Sequence, residues 1–230
     1  MGKKSRTESS RCRSGRWAVA FVVGLAVALI ALAYIVFIQP GETGFLNRTE
    51  EGFFEQSTVA FYVVALLISL ALVVIKKWQH GLYYSVVLLA MCLRELDFHT
   101  RFSKNITSIR FWKAGEFALW HKLIVAVIVI GILFALYSVA RRGFRPWLRH
   151  LKLGYAYAIS LAGAMGYVFM SFALDNQLNM DALDQPVVLF FNLVEESIET
   201  GIPILLCVAL IQWAVGCPKN KKLAPDLSPD

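Results

Sequence analysis

Apolar residues along this chain gather into six long runs separated by short polar stretches: Trp17 to Ile38, Ser57 to Ile75, Gly81 to Leu96, Leu119 to Ala140, Leu153 to Leu174 and Val187 to Val215. About 20 helical residues, rising 1.5 Å each, cross a hydrocarbon layer roughly 30 Å thick. The pattern predicts an all-α, polytopic membrane protein with six transmembrane helices in one bundle. An even number of crossings puts both termini on one side. The expected organisation is a basic tail over residues 1–16, a transmembrane domain over 17–216 and a second tail over 217–230.

The boundaries carry their own signals. Gln39-Pro40-Gly41 stops the first helix. The first run outlasts the 7 to 15 apolar residues of a signal-peptide core, which favours a retained anchor over a cleaved signal. The sixth run is too long for one perpendicular crossing, so its first turns should stand outside the hydrocarbon.

Composition agrees: 57% of residues are hydrophobic and 17% charged, against about half and a quarter in soluble domains. Charge adds orientation. Sixteen of the 23 Lys and Arg lie in the amino-terminal tail, at Lys76 and Lys77, in the stretch from Arg141 to Lys152, and in the carboxyl-terminal tail. With Glu8, Asp226 and Asp230 on the same side, that side carries +13 and the remainder −6. Basic flanks stay in the cytoplasm, so both termini are expected there. The net charge of +7 is then a topology signal, and nucleic acid is not an expected partner.

Cysteine changes little. Cys12 and Cys217 flank the inner surface while Cys92 and Cys207 fall within spans, which implies no disulfide framework and no zinc spacing. Asn47-Arg48-Thr49 and Asn105-Ile106-Thr107 match the glycosylation pattern. The compact loops look bacterial, where that pattern is silent, and point to an inner (plasma) membrane. The chain carries no internal repeat, phosphate loop, HExxH or nucleophile elbow.

Candidate chemistry sits where ionisable residues meet apolar runs: Arg94-Glu95-Leu96-Asp97-Phe98-His99, and Glu195-Glu196-Ser197-Ile198-Glu199. Charge at membrane depth costs free energy and asks for a reason. Counting about 20 residues from each inner boundary places Glu55, Asp97, His121, Asp175 and Glu196 to Glu199 in one outer layer. Interfaces hold snorkelling side chains anyway, but helical phase is more selective. Asn192, Glu195, Glu196 and Glu199 share one arc, Glu95 and His99 share a face, and Glu51, Glu55, Thr58, Tyr62 and Ser69 form a stripe, as do Ser160, Tyr167 and Ser171. Such stripes predict a shared, outward-open polar pocket. Arg94, Asp97 and Arg101 fall on the other side of the third helix and read as surface pairs.

Carboxylate oxygen and imidazole nitrogen suit several divalent metals, so Glu55, Glu95, His99, Glu195, Glu196 and Glu199 are the candidate ligands and Glu95, His99 and Glu199 the candidate catalytic groups. No cofactor is specified beyond that cation. Without a metal, crowded carboxylates repel and a proton shared among them would serve acid–base chemistry or ion-coupled transport. His99 and His121 on separate helices would be the haem alternative. The stretch from Thr100 to Glu116 interleaves cations and aromatics as an interfacial segment does. Arg101, Lys104, Arg110, Trp112 and Lys113 are its candidate lipid-headgroup contacts. Pro203 is expected to free the Glu199 carbonyl. Gly154, Ala158, Ala162, Gly163 and Gly166 offer a small-residue packing face.

Three functions follow as expectations. The first is a membrane protein that binds a cation or proton, one form of which is an embedded enzyme acting on outer-leaflet lipid. The second is a small ion-coupled transporter, and the third a non-catalytic partner of another membrane protein.

Overall fold

The computed structural model describes residues 2–38, 53–76, 78, 80–96, 119–177 and 185–216. They form six helices: α1 Gly2–Ile38, α2 Phe53–Lys76, α3 Gly81–Glu95, α4 Leu119–Lys152, α5 Ala156–Gln177 and α6 Gln185–Gly216. There is no strand among the described residues. Five of the helices, all but α3, are long and apolar enough to cross a membrane. α3 has 15 residues, about 22 Å of helix, which is short of a hydrocarbon layer of about 30 Å. The fold is that of a helical, multi-pass membrane protein.

Two helices outrun their predicted spans. α1 continues back through the basic tail to Gly2, and α4 runs on from Ala140 to Lys152. A stretch expected as a connection, from Arg141 to Lys152, is therefore helix, with Pro146 inside it. The aliphatic stems of Arg and Lys favour helix as well as Leu does, and charge alone does not stop one.

The chain divides into two compact units, one made of residues up to Phe61 and from Arg145 on, the other of Tyr62–Phe144. In the first unit α1, α5 and α6 pack on one another. Small side chains permit this: Ala33 and Ala158 are fully buried, as is Leu205. A Cβ on Gly163 would sit 2.8 Å from Val22, and one on Gly201 would sit 2.4 Å from the ring of Tyr167 and 2.8 Å from Leu29. Close approach of this kind drives helix association where lipid tails remove any apolar advantage. The expected small face of α5 is thus real at Ala158 and Gly163. It does not extend to Gly166, which has nothing within 4 Å of a Cβ, or to Gly154.

Gly154 serves the corner between α4 and α5. Its N–H bonds to Leu151 O at 3.0 Å, the Tyr155 N–H bonds to His150 O at 3.1 Å, and its φ is +72°. This is the Schellman arrangement, in which a left-handed residue closes a helix and the residue after it covers the last turn. Here the Tyr155 ring lies 4.8 Å from the His150 ring. Trp147 Nε1 donates to Ala158 O at 3.1 Å, and His150 Nδ1 bonds to the Tyr157 hydroxyl.

In the second unit the turn between α2 and α3 is tight. Trp78 stacks on Tyr84 at 4.9 Å, and a Cβ on Gly81 would meet Val73 at 2.5 Å. Ser69 and Ser85 are buried and joined at 2.9 Å, while Ser85 also donates to Gly81 O at 3.1 Å. Arg142 Nη1 meets His80 Nδ1 at 3.0 Å.

Apolar side chains cover the outside. Only 11% of the α4 span is buried, and Leu119, Leu123, Val127, Ile130, Leu133 and Phe134 are each more than half exposed. Lipid tails would solvate that surface; water would not.

Candidate functional site

The polar stripes of α2 and α5 face protein. On α2, Thr58, Tyr62 and Ser69 are buried, with Phe54, Ala65 and Leu72 filling the same face. On α5, Ser160, Tyr167 and Ser171 are buried. A hydroxyl among apolar side chains needs a partner, and each of the three α5 groups has one. Ser160 Oγ donates to Gln212 Oε1 at 2.9 Å, Tyr167 Oη to Val22 O at 2.7 Å, and Ser171 Oγ to Glu199 Oε1 at 2.8 Å.

α6 is buried on more than one side. Leu193, Val194, Ser197, Ile198, Ile202 and Leu205 are buried, and so are Pro203 and Cys207, one and two turns beyond Glu199 on the glutamates' own arc. Asn192 is exposed, and Glu195, Glu196 and Glu199 are half-buried. The arc drawn from the sequence is thus half-buried at its glutamates and exposed at Asn192. Ser197 resolves its own burial by donating to Val194 O at 2.8 Å.

One well-connected polar group is passed over by the charge pattern, Thr200. Its Oγ1 lies 2.7 Å from Thr58 Oγ1, with Phe54 O at 3.2 Å and Glu196 O at 3.0 Å as further acceptors. Thr58 Oγ1 has Phe54 O at 2.8 Å. Each hydroxyl has one proton, so one of the two threonines donates to the other and its neighbour donates to a carbonyl. These bonds tie the first turns of α2 to the middle of α6. One turn before Thr200, Glu196 has a buried Oε2, and Glu55, in the first turn of α2, has one too. A carboxylate in a first turn meets the positive end of the helix dipole, which favours it there. Cys207 Sγ donates to Phe61 O at 3.5 Å further along the same helix pair.

Pro203 lies inside α6 and is fully buried. It has no N–H, so the Glu199 carbonyl receives no bond from the residue four ahead. The site thus gathers Glu55, Thr58, Glu196, Glu199, Thr200 and Ser171 on three helices of the first unit. Ser160 and Gln212 form a separate polar pair, about 16 Å along α5 from Ser171. Ala164, Ile202 and Leu205 are buried between them.

Glu95, half-buried at the end of α3, belongs to the second unit. His99, Glu51 and the whole segment 100–116, with Arg101, Lys104, Arg110, Trp112 and Lys113, lie outside the described residues, as do the side chains of His121 and Asp175. Among the described residues no group of three or more His, Cys, Asp or Glu could hold a metal ion. The expected cation site is therefore not assembled by the described residues, and His99, one of its candidate ligands, lies outside them. Glu199 takes its hydrogen bond from serine instead.

No protein-family description, curated protein or solved structure matches this chain.

Proposed function

We propose that this chain is an integral protein of a bacterial inner membrane that moves a proton at a polar centre built on α6. In this reading α3 makes a short sixth crossing, all six helices share one bundle, both termini are cytoplasmic, and the centre opens to the outer side. Glu199 carries the proton, Ser171 holds its carboxyl group, and the Thr58–Thr200 pair fixes α2 beside it. Glu55 and Glu196 extend the acidic edge. The observation that supports this most is the bond from Ser171 to Glu199 at 2.8 Å. It gives an ionisable group on an apolar, membrane-length helix a defined partner, and intramembrane ionisable groups of that kind mark proton and substrate pathways. A carboxyl group can exchange its proton there without leaving the bundle, as acid–base chemistry on outer-leaflet lipid or ion-coupled transport both require.

Proteoliposomes holding a pH-sensitive dye test the proposal. Wild-type protein should relax an imposed pH gradient faster than Glu199→Gln protein, and equal rates would count against a proton-moving centre.

A second reading, a partner that docks on another membrane protein without turnover, draws support from the way Ser160, Tyr167 and Ser171 spend their hydroxyls on bonds between helices. Purification in mild detergent with one stoichiometric membrane protein attached would favour it.

A further inference from the structure

At its carboxyl-terminal end α4 turns from apolar to basic, and there it lines a shallow groove of about 540 Å³ with Arg145, Leu148, Arg149, Lys152 and Leu153. Arg145, Arg149 and Lys152 stand four and three residues apart, so they share one helix face. All three are exposed, and among the described residues none is joined to a carboxylate. The lining contains no acidic side chain. Leu148 is half-buried and Leu153 is 51% exposed, which gives the groove an apolar flank beside its cations. The groove is also braced. Trp147, inside the same turn, is pinned to Ala158 O at 3.1 Å, and the bonds of Gly154 and Tyr155 close the helix directly behind Lys152.

A charge excess whose only role is to set topology needs no concave shape and no apolar wall. We propose that this groove binds the headgroup of an anionic phospholipid, with the phosphodiester between Arg145, Arg149 and Lys152 and the start of an acyl chain along Leu148 and Leu153. Guanidinium groups hold a phosphate through paired N–H donors and an ammonium adds a point charge. A lipid, unlike free phosphate, also uses the leucines. Each cation near a membrane surface contributes about 1 kcal/mol to such binding, which corresponds to about a fivefold change in occupancy. The proposal is independent of the proton centre on α6.

Native mass spectrometry of the full-length protein, offered equal amounts of phosphatidylglycerol and phosphatidylcholine in mild detergent, tests it. Wild type should retain one phosphatidylglycerol in preference. Arg149→Gln and Lys152→Gln should each lower that retention about fivefold, Arg149→Lys should keep most of it, and Arg141→Gln, outside the groove, should leave it unchanged. Should Arg149→Gln fail to fold, Lys152→Gln reads the same site. Equal retention of the two lipids, an equal loss in Arg141→Gln, or displacement of the lipid by inorganic phosphate would each overturn the proposal.

Discussion

Ser171 on α5 donates its hydroxyl hydrogen to Oε1 of Glu199 on α6 across 2.8 Å. With the Ser160–Gln212 bond further along the same two helices, it sets their register as well as placing the carboxyl group. Interhelical hydrogen bonds in membranes contribute about 0.6 kcal/mol on average and up to about 1.7. A double-mutant cycle with Ser171→Ala and Glu199→Gln, read by reversible unfolding in mixed detergent, should return a coupling in that range. A coupling of zero would mean that the pair does not hold the helices.

Gly201 presents the opposite case, a contact without a polar group. A Cβ there would lie 2.4 Å from Tyr167, whose ring is held by its own bond to Val22 O at 2.7 Å. The ring cannot swing aside without losing that bond, so Gly201→Ala should destabilise the protein by about 1 to 3 kcal/mol. Gly166→Ala, with nothing within 4 Å, should be neutral or slightly stabilising, since alanine favours helix. Thermal unfolding of the two variants side by side checks both expectations.

Much of this was legible in the sequence, for reasons that also explain what was not. Apolar run length located the five long helices because backbone groups in hydrocarbon must be satisfied within a helix. Hydroxyl spacing located the buried faces of α2 and α5, since Thr58, Ser69, Ser160 and Ser171 had no reason to align except to meet partners. The partners themselves were not legible, because spacing along one helix says nothing about its neighbour. Thr200 and Gly201 were overlooked between Glu199 and Pro203, whose charge and missing N–H are the stronger signals. Residue type and helix face alone do not bring side chains to one point, and among the described residues no group that could hold a metal forms.

Ser69 and Ser85 in the second unit give a test of buried polar pairing. Ser85 already donates to Gly81 O, so the bond at 2.9 Å is donated by Ser69. Ser85→Ala should cost about 1 to 3 kcal/mol because it strands the Ser69 hydroxyl, whereas the double alanine variant should cost less than the two single changes added together. Unfolding of the three variants measures it, and strict additivity would show that the pair is not coupled.

Topology offers a prediction that turns on α3. Reporter fusions placed near residue 78, near residue 154 and after residue 216 should all report the cytoplasm, and fusions near residues 45, 110 and 180 the outside, if the short α3 crosses the membrane. Fusions that agree up to residue 78 and invert from residue 110 onward would show five crossings and termini on opposite sides.

The proton centre is tested most directly by infrared difference spectroscopy of the reconstituted protein between alkaline and acidic buffer. The wild-type spectrum should contain a carboxyl C=O band, shifted in deuterated buffer, that is absent from Glu199→Gln and displaced to higher frequency in Ser171→Ala, where the serine bond is lost. A spectrum that is the same in wild type and Glu199→Gln would show that Glu199 exchanges no proton with the medium and would contradict the account.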